Sequence, residues 1–299
     1  MKFIDLFAGI GGFRMGMERA GHECVGWVEW DKFARKSYIA IHKPDGEFTE
    51  KDINDVNVSL LSHADCWCFG FPCQDISMAG KQGGFTNGKR SSLFFKVTGL
   101  IRELKEEDKP RYLFIENVKN LLSINKGWDF AKLLIEMDEI GYDVEWDVLD
   151  SAEVVPQHRE RIFIVGHLRG RRTRKVFPII REDGKTNKTV NQIGNISNSK
   201  SFGGNPQVGR VYGTDGISPT LSTMQGGGQE PKILNNYRIR KLTPLETWRL
   251  QGFPDWAFNR AKEAGLSDSQ LYKQAGNSVT VPVIREIAEN MAFETFGNV

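Results

Sequence analysis

The chain is short of cysteine, of net charge and of long apolar runs, and each shortage removes a class of function. Cys24, Cys66, Cys68 and Cys73 are its four cysteines in 299 residues. They form no Cys-x-x-Cys pair and no histidine cluster accompanies them, so no metal site is expected. A disulfide framework is equally unexpected in a chain of this size. Cys66 and Cys68, two apart in an apolar run, should share one side and point into packing. No stretch is apolar for long enough to span a membrane, and the start, Met1-Lys2-Phe3-Ile4-Asp5, has no signal-peptide pattern. A reducing cytoplasm is the expected setting. The formal charge is only +2, so the total carries no electrostatic footprint, although positive charge could still gather on one face. The run Arg169-Gly170-Arg171-Arg172-Thr173-Arg174-Lys175 gathers it locally, as a phosphate contact or as a solvated linker. Internal repeats and long low-complexity tracts are missing too.

What is present is alternation. Lys2 to Phe7, Cys24 to Val28, Ala64 to Phe69, Tyr112 to Ile115, Val144 to Leu149 and Arg161 to Gly166 read as strands. Helices are expected near Phe13–Ala20, Lys32–Ile41, Leu93–Leu104 and Phe130–Ile140. This βα order predicts an α/β fold with a doubly wound, mostly parallel sheet. After Gly166 the pattern fails. Residues 169–228 are rich in Gly, Asn, Ser and Thr and hold no helix of good period, which predicts a small, irregular, β-rich second domain. Helix returns at Thr243–Gln251, with Pro244 in its first turn, and again from Val281 to Phe296, packing back on the first domain. The expected division is 1–168 with 272–299, and 169–271.

Two segments carry chemistry. Strand, glycine turn and helix at Phe3 to Met17 form a ligand site of the dinucleotide type. Gly9 and Gly11 permit a tight turn and close approach of a ligand, but Arg14 stands where the third glycine would be, which argues against a pyrophosphate. Glu29 lies about 20 residues beyond the turn, where an acid takes ribose hydroxyls. Asp52 ends a further short element. A nucleoside cofactor is favoured over a plain structural turn, and topology alone does not separate NAD from S-adenosylmethionine. The second segment is Phe71-Pro72-Cys73-Gln74, after the apolar run Cys66-Trp67-Cys68-Phe69 and Gly70. Pro72 fixes the backbone beside one thiol, which suits an aimed nucleophile. A lone cysteine there would read as a buried structural thiol; its partners elsewhere in the chain change that reading.

Asp5-Leu6-Phe7-Ala8-Gly9-Ile10-Gly11-Gly12, Gly70-Phe71-Pro72-Cys73-Gln74, Glu116-Asn117-Val118, Gln157-His158-Arg159-Glu160-Arg161 and Gln274-Ala275-Gly276-Asn277-Ser278-Val279 occur in that order. Together they resemble the bacterial and phage cytosine carbon-5 DNA methyltransferases, over nearly the whole chain except the middle of the irregular domain. The resemblance implies a Rossmann-like, S-adenosylmethionine-dependent domain with a small target-recognition domain. It implies double-stranded DNA as partner, a cognate restriction endonuclease as genetic partner, a monomer, and no membrane partner. Cys73 would be the thiolate that adds to cytosine carbon 6, Glu116 the acid at ring N3, and Arg159 the arginine that binds the base and its phosphate. Arg161, which opens a strand, reads as structural and also stands among the DNA contacts. The cofactor would contact Phe7, Gly9, Gly11, Glu29, Trp30, Asp52, Ile53, Pro72, Leu93 and Asn277. Trp30 would stack on adenine, or else be a core aromatic. Residues 74–92, with Lys81, Lys89 and Arg90 among glycines, would be a mobile loop closing over DNA, needed because the target base must leave the duplex; a plain surface loop is the alternative. In the irregular domain Gln207 would fill the gap left by the base, Arg210 would read guanine O6 and N7, and Thr220 would support the loop. Solvated glycine-rich turns are the competing reading there.

Three other functions are weighed against this one. An RNA cytosine methyltransferase would share the motifs, but the irregular domain with its recognition patterns favours DNA. A catalytically idle DNA-binding protein is opposed by Cys73, Glu116 and Arg159 standing intact. A nicotinamide oxidoreductase is opposed by Arg14 and by the cysteine motif.

Overall fold

The computed structural model describes residues 1–71, 92–180, 189–197, 200–225 and 227–291. The first part alternates as expected: β1 (Lys2–Leu6), α1 (Gly12–Arg19), β2 (Glu23–Val28), α2 (Lys32–His42), β3 (Phe48–Glu50), β4 (Cys66–Gly70), α3 (Ser92–Glu103), β5 (Tyr112–Val118), α4 (Trp128–Glu139), β6 (Tyr142–Asp150) and β7 (Glu160–Leu168). These strands form one sheet in the order β3-β2-β1-β4-β5-β7-β6. Strands β1 to β5 pair in parallel. β7 slots between β5 and β6, antiparallel to both.

Side chains alternate across the sheet, and this builds two core layers. Ile4, Leu6, Trp67, Phe69, Leu113 and Ile115 face α3 and α4 through Phe94, Val97, Phe130 and Leu133. Phe3, Cys66, Cys68, Tyr112, Phe114 and Phe163 face α1 and the last helix through Phe13, Met17, Ile284 and Ile287. Each such side chain contributes roughly 1.5–3 kcal/mol by leaving water. The Cys66 and Cys68 thiols are fully buried and lie 3.7 Å apart as free thiols on one side of β4, as their spacing requires.

A second sheet follows, β8 (Gln192–Asn195), β9 (Arg210–Tyr212), β10 (Lys232–Asn235) and β11 (Arg238–Lys241), in the order β11-β10-β9-β8. The described part of 169–228 holds short strands and 3₁₀ turns but no α-helix. Four helices close the chain: α5 (Pro244–Leu250), α6 (Asp255–Glu263), α7 (Asp268–Asn277) and α8 (Val281–Met291). Thr243 caps α5 in a capping box with Glu246, and Pro244 occupies its first turn. Residues 244–271, grouped with the second domain by their sequence position, pack instead on the first: Trp248, Phe253 and Phe258 share a cluster with Ile10, Met15 and Ile41. No helix among the described residues is long and apolar enough to cross a membrane.

Candidate active site

The strand order reverses between β1 and β4, and the crevice at the carboxyl ends of such strands is where α/β sheets take ligands. Of the expected cofactor residues, Phe7, Gly9, Gly11, Glu29, Trp30, Asp52 and Ile53 follow β1, β2 and β3, on one side of that point. Phe7, the residue after β1, holds a left-handed φ of 57°. For a bulky side chain this costs on the order of 1–3 kcal/mol, a strain typical of functional turns. Gly9 is also left-handed, and a Cβ there would meet nothing within 4 Å, so the outer surface of the turn is open. Gly11 is backed by His42, whose Nε2 lies 3.0 Å from the Ile10 carbonyl.

Glu29 follows β2 and braces this turn. Its Oε2 accepts from the Gly9 N–H at 2.7 Å and its Oε1 from the Asp31 N–H at 2.7 Å. Burial raises its pKa, while those two N–H groups pull it down. Trp30 is 78% exposed, so it is not a core aromatic. Asp52 caps the short turn Ile53–Asp55 through the Asn54 N–H. Ile53 departs from expectation: its side chain is buried in the core and only its backbone can face a ligand. Leu93 is half-buried against that same core, and Asn277 is exposed as the last residue of α7.

On the other side of the reversal lie the residues expected to meet the base. Glu116, near the end of β5, pairs with Gly70 of β4. A Cβ on Gly70 would sit 3.2 Å from Glu116 Oε2, so the glycine leaves the carboxyl its room. Arg161 opens β7 and its Nε lies 3.1 Å from Glu116 Oε1. Asn117 is buried and donates from Nδ2 to the Phe71 carbonyl at 3.0 Å, fastening the end of β4 to β5. Pro72, Cys73 and Arg90 lie outside the described residues.

Arg159 is not placed as a base contact. Its side chain is 97% hidden, and three backbone carbonyls take its terminal nitrogens: Leu221 at 3.3 Å, Gly276 at 3.2 Å and Ser278 at 3.0 Å. Burial, followed by the neighbouring Arg161, lowers its pKa to about 9. The cation beside Glu116 is therefore Arg161. Burial decides between two arginines that stand two apart in sequence.

In the small sheet Gln207 is exposed at the start of a 3₁₀ turn. Arg210 is half-buried, donates to the Asn205 carbonyl at 3.2 Å and bonds the Tyr212 hydroxyl, so its guanidinium braces its own loop. Arg210→Ala is therefore expected to slow methylation of all duplexes alike. Rates on duplexes varied one base pair at a time check this, and a loss confined to one position would restore base reading. Thr220 donates from Oγ1 to the His158 carbonyl at 2.7 Å, a supporting role. The basic run at 169–175 follows the carboxyl end of β7, which lies beside the start of β5 and so at the end of the sheet away from the crevice. Arg169 there is paired with Asp138 and with Asp143. Arg171, Arg172, Arg174 and Lys175 of the same run are exposed.

Three residues that sequence reasoning passed over help hold the site: Asn117, His42 and Gln157. Asn117 and Gln157 stood inside quoted motifs. His42 carries no local signal, because its partner Ile10 is 32 residues away.

Known proteins similar to this chain point to one family. The C-5 cytosine-specific DNA methylase family matches the chain in two stretches, residues 1–212 and 181–292. Type II methyltransferase M.HhaI of Haemophilus parahaemolyticus is 35% identical over 320 residues, covering 97% of this chain and 94% of that protein. Type II methyltransferase M.HpaII of Haemophilus parainfluenzae is 34% identical over 338 residues, covering 99% and 90%. Orphan methyltransferase M.SPBetaI of Bacillus phage SPbeta is 28% identical over 434 residues, covering 97% of each. Among solved structures, the Entamoeba histolytica methyltransferase EhMeth superposes with a TM-score of 0.72 over 97% of both chains, at 19% identity, a likeness of fold. With both halves of its crevice in the first of the matched stretches, the chain belongs to the C-5 cytosine-specific DNA methylase family and is a DNA cytosine methyltransferase.

Proposed function

We propose that the chain transfers a methyl group from S-adenosylmethionine to carbon 5 of a cytosine flipped out of a specific double-stranded DNA sequence, through a covalent bond from Cys73 to carbon 6. The observation that carries this is the Glu116–Arg161 pair, at 3.1 Å, beside the end of β4, which Asn117 fastens at Phe71. The crevice fits the cofactor: an open glycine turn, an exposed indole at Trp30, and the carboxyls of Glu29 and Asp52 stand together on the β1–β3 side. When bound, S-adenosylmethionine supplies an electrophilic methyl group. The chain's own residues do the rest. The Cys73 thiolate forms a bond to carbon 6, and the electron pair of the 5,6 double bond moves towards carbon 5. Glu116 holds a proton at ring N3 and Arg161 faces O2, where negative charge gathers. Once carbon 5 carries the methyl group, its proton leaves to water, the carbon 6 bond breaks to expel the thiolate, and the proton at N3 returns to Glu116, which restores the ring.

The catalytic unit in this reading is 1–168 with 244–299, and the recognition unit lies between them. The packing of Trp248 on Ile10 supports the shift of 244–271 to the first unit. A monomer in a reducing cytoplasm, bacterial or phage-infected, fits the free buried thiols. A restriction endonuclease as genetic partner is supported by the two relatives named as type II methyltransferases.

The test is bisulfite sequencing of DNA treated with the protein and cofactor. Protection of cytosines in one short sequence context is expected, and absence of any protected cytosine would overturn the proposal. Glu29→Ala should weaken binding of S-adenosylhomocysteine by about 1–3 kcal/mol, since it removes both a ribose acceptor and the brace on Gly9. Calorimetry reads this, and unchanged affinity would remove Glu29 from the cofactor site.

A further inference from the structure

The recognition segment enters the catalytic unit along one short stretch of main chain. Ser218 donates to the Pro156 carbonyl at 2.8 Å and accepts from the His158 N–H at 2.8 Å. Leu221 donates to Gln157 Oε1 at 3.1 Å. Gln157 is fully buried and its amide reaches on to the Leu250 carbonyl at 3.0 Å. Beside it, Arg159 clasps Leu221 of this segment together with Gly276 and Ser278 at the end of α7. The same two strands of chain touch directly: a Cβ on Gly276 would lie 2.0 Å from the Ser222 carbonyl oxygen. Asn277, on the cofactor side, is the next residue.

The charge of Arg159 is unusual. Among the described residues no carboxylate forms an ion pair with it, and its Nε is buried without a partner. Glu116 attracts it only from a distance, and a buried cation without a direct ionic partner is costly. Neutral donors would satisfy the same carbonyls, so stability alone does not account for an arginine here. Two residues on, Arg161 opens β7 and pairs with Glu116. Residues two apart on extended chain share a side, so a displaced Arg159 displaces Arg161 as well.

We infer that Arg159 is a positioning residue that carries target recognition from the segment Ser218–Leu221 to the Glu116–Arg161 pair; this rests on the DNA reading above. When the recognition unit seats on its own sequence, Leu221 completes the clasp and Arg161 is held in line. When it seats badly, the clasp opens and the pair loses its alignment.

The experiment compares wild type with Arg159→Lys and Arg159→Gln. It measures kcat and KM on the preferred duplex and on duplexes changed by one base pair, with S-adenosylhomocysteine affinity alongside. Both variants should still bind S-adenosylhomocysteine. The preference for the correct duplex should fall about 10-fold, within the usual range of coupling between sites, and the fall should lie in kcat. Rates that drop by the same factor on every duplex would overturn the inference and leave a structural role. Should neither variant fold, Thr220→Val releases the same segment from His158 without changing charge. It should show the same loss of preference, and an unchanged preference would sink the inference. Wild-type protein that methylates no duplex would defeat the DNA reading itself, which is a distinct result.

Discussion

Cys73→Ser is expected to abolish methyl transfer while binding of DNA and of S-adenosylhomocysteine persists. A hydroxyl at this position is a far weaker nucleophile than a thiolate near neutral pH. The main chain leading to Cys73 is held two residues earlier, where Asn117 donates to the Phe71 carbonyl at 3.0 Å. The substitution therefore changes chemistry and leaves the fastening intact. The positive counterpart uses wild-type protein with duplex DNA carrying 5-fluorocytosine. The fluorine cannot leave as a proton does, so protein and DNA should remain covalently joined on a denaturing gel. Free protein under conditions that methylate ordinary DNA would end the covalent mechanism.

Glu116→Gln should lower the single-turnover rate of methyl transfer about 10²- to 10⁴-fold, the usual worth of a placed proton donor. Glutamine keeps the shape and the room beside Gly70 but cannot pass a proton, and it loses the ionic partner of Arg161. Duplex affinity should change much less than the rate, because the effect belongs to the charge that builds on the ring. Rapid-quench methylation together with equilibrium duplex binding separates the two. A rate equal to that of wild type would remove Glu116 from the chemistry. Arg161→Lys tests the other half of the pair, since an ammonium keeps the charge but loses the planar fork.

Much of this was legible in the sequence because it is local. Short, near-continuous apolar runs in Phe3–Leu6 and Tyr112–Ile115 fit strands buried on both faces, and both are fully buried. The turn at Gly9 and Gly11 needed glycine at left-handed φ and found it. What could not be read is what depends on distant partners. Arg159 and Arg161 stand two apart in one motif, and only Leu221, Gly276 and Ser278, up to 119 residues away, make the first a buried clasp and leave the second beside Glu116. Arg169 has the same charge whether it meets solvent or Asp138 and Asp143, and sequence counts do not contain that choice. Trp30 is apolar by type, so its exposure had to come from the structure.

The place of β7 in the large sheet bears on how the protein comes into being. As chain emerges from the ribosome, β1 to β5 can pair without it, and the cofactor turn with its Glu29 brace is complete within the first 31 residues. The set of residues expected to meet the base is not. Arg161 arrives only when β7 inserts between two strands already made, and the clasp around Arg159 waits for Ser278, while α8 must close over α1 to bury Phe13 and Met17. Such non-local pairing is slow to form. A nascent chain thus completes the Glu29-braced glycine turn long before the Glu116–Arg161 pair and the clasp around Arg159, which waits for Ser278.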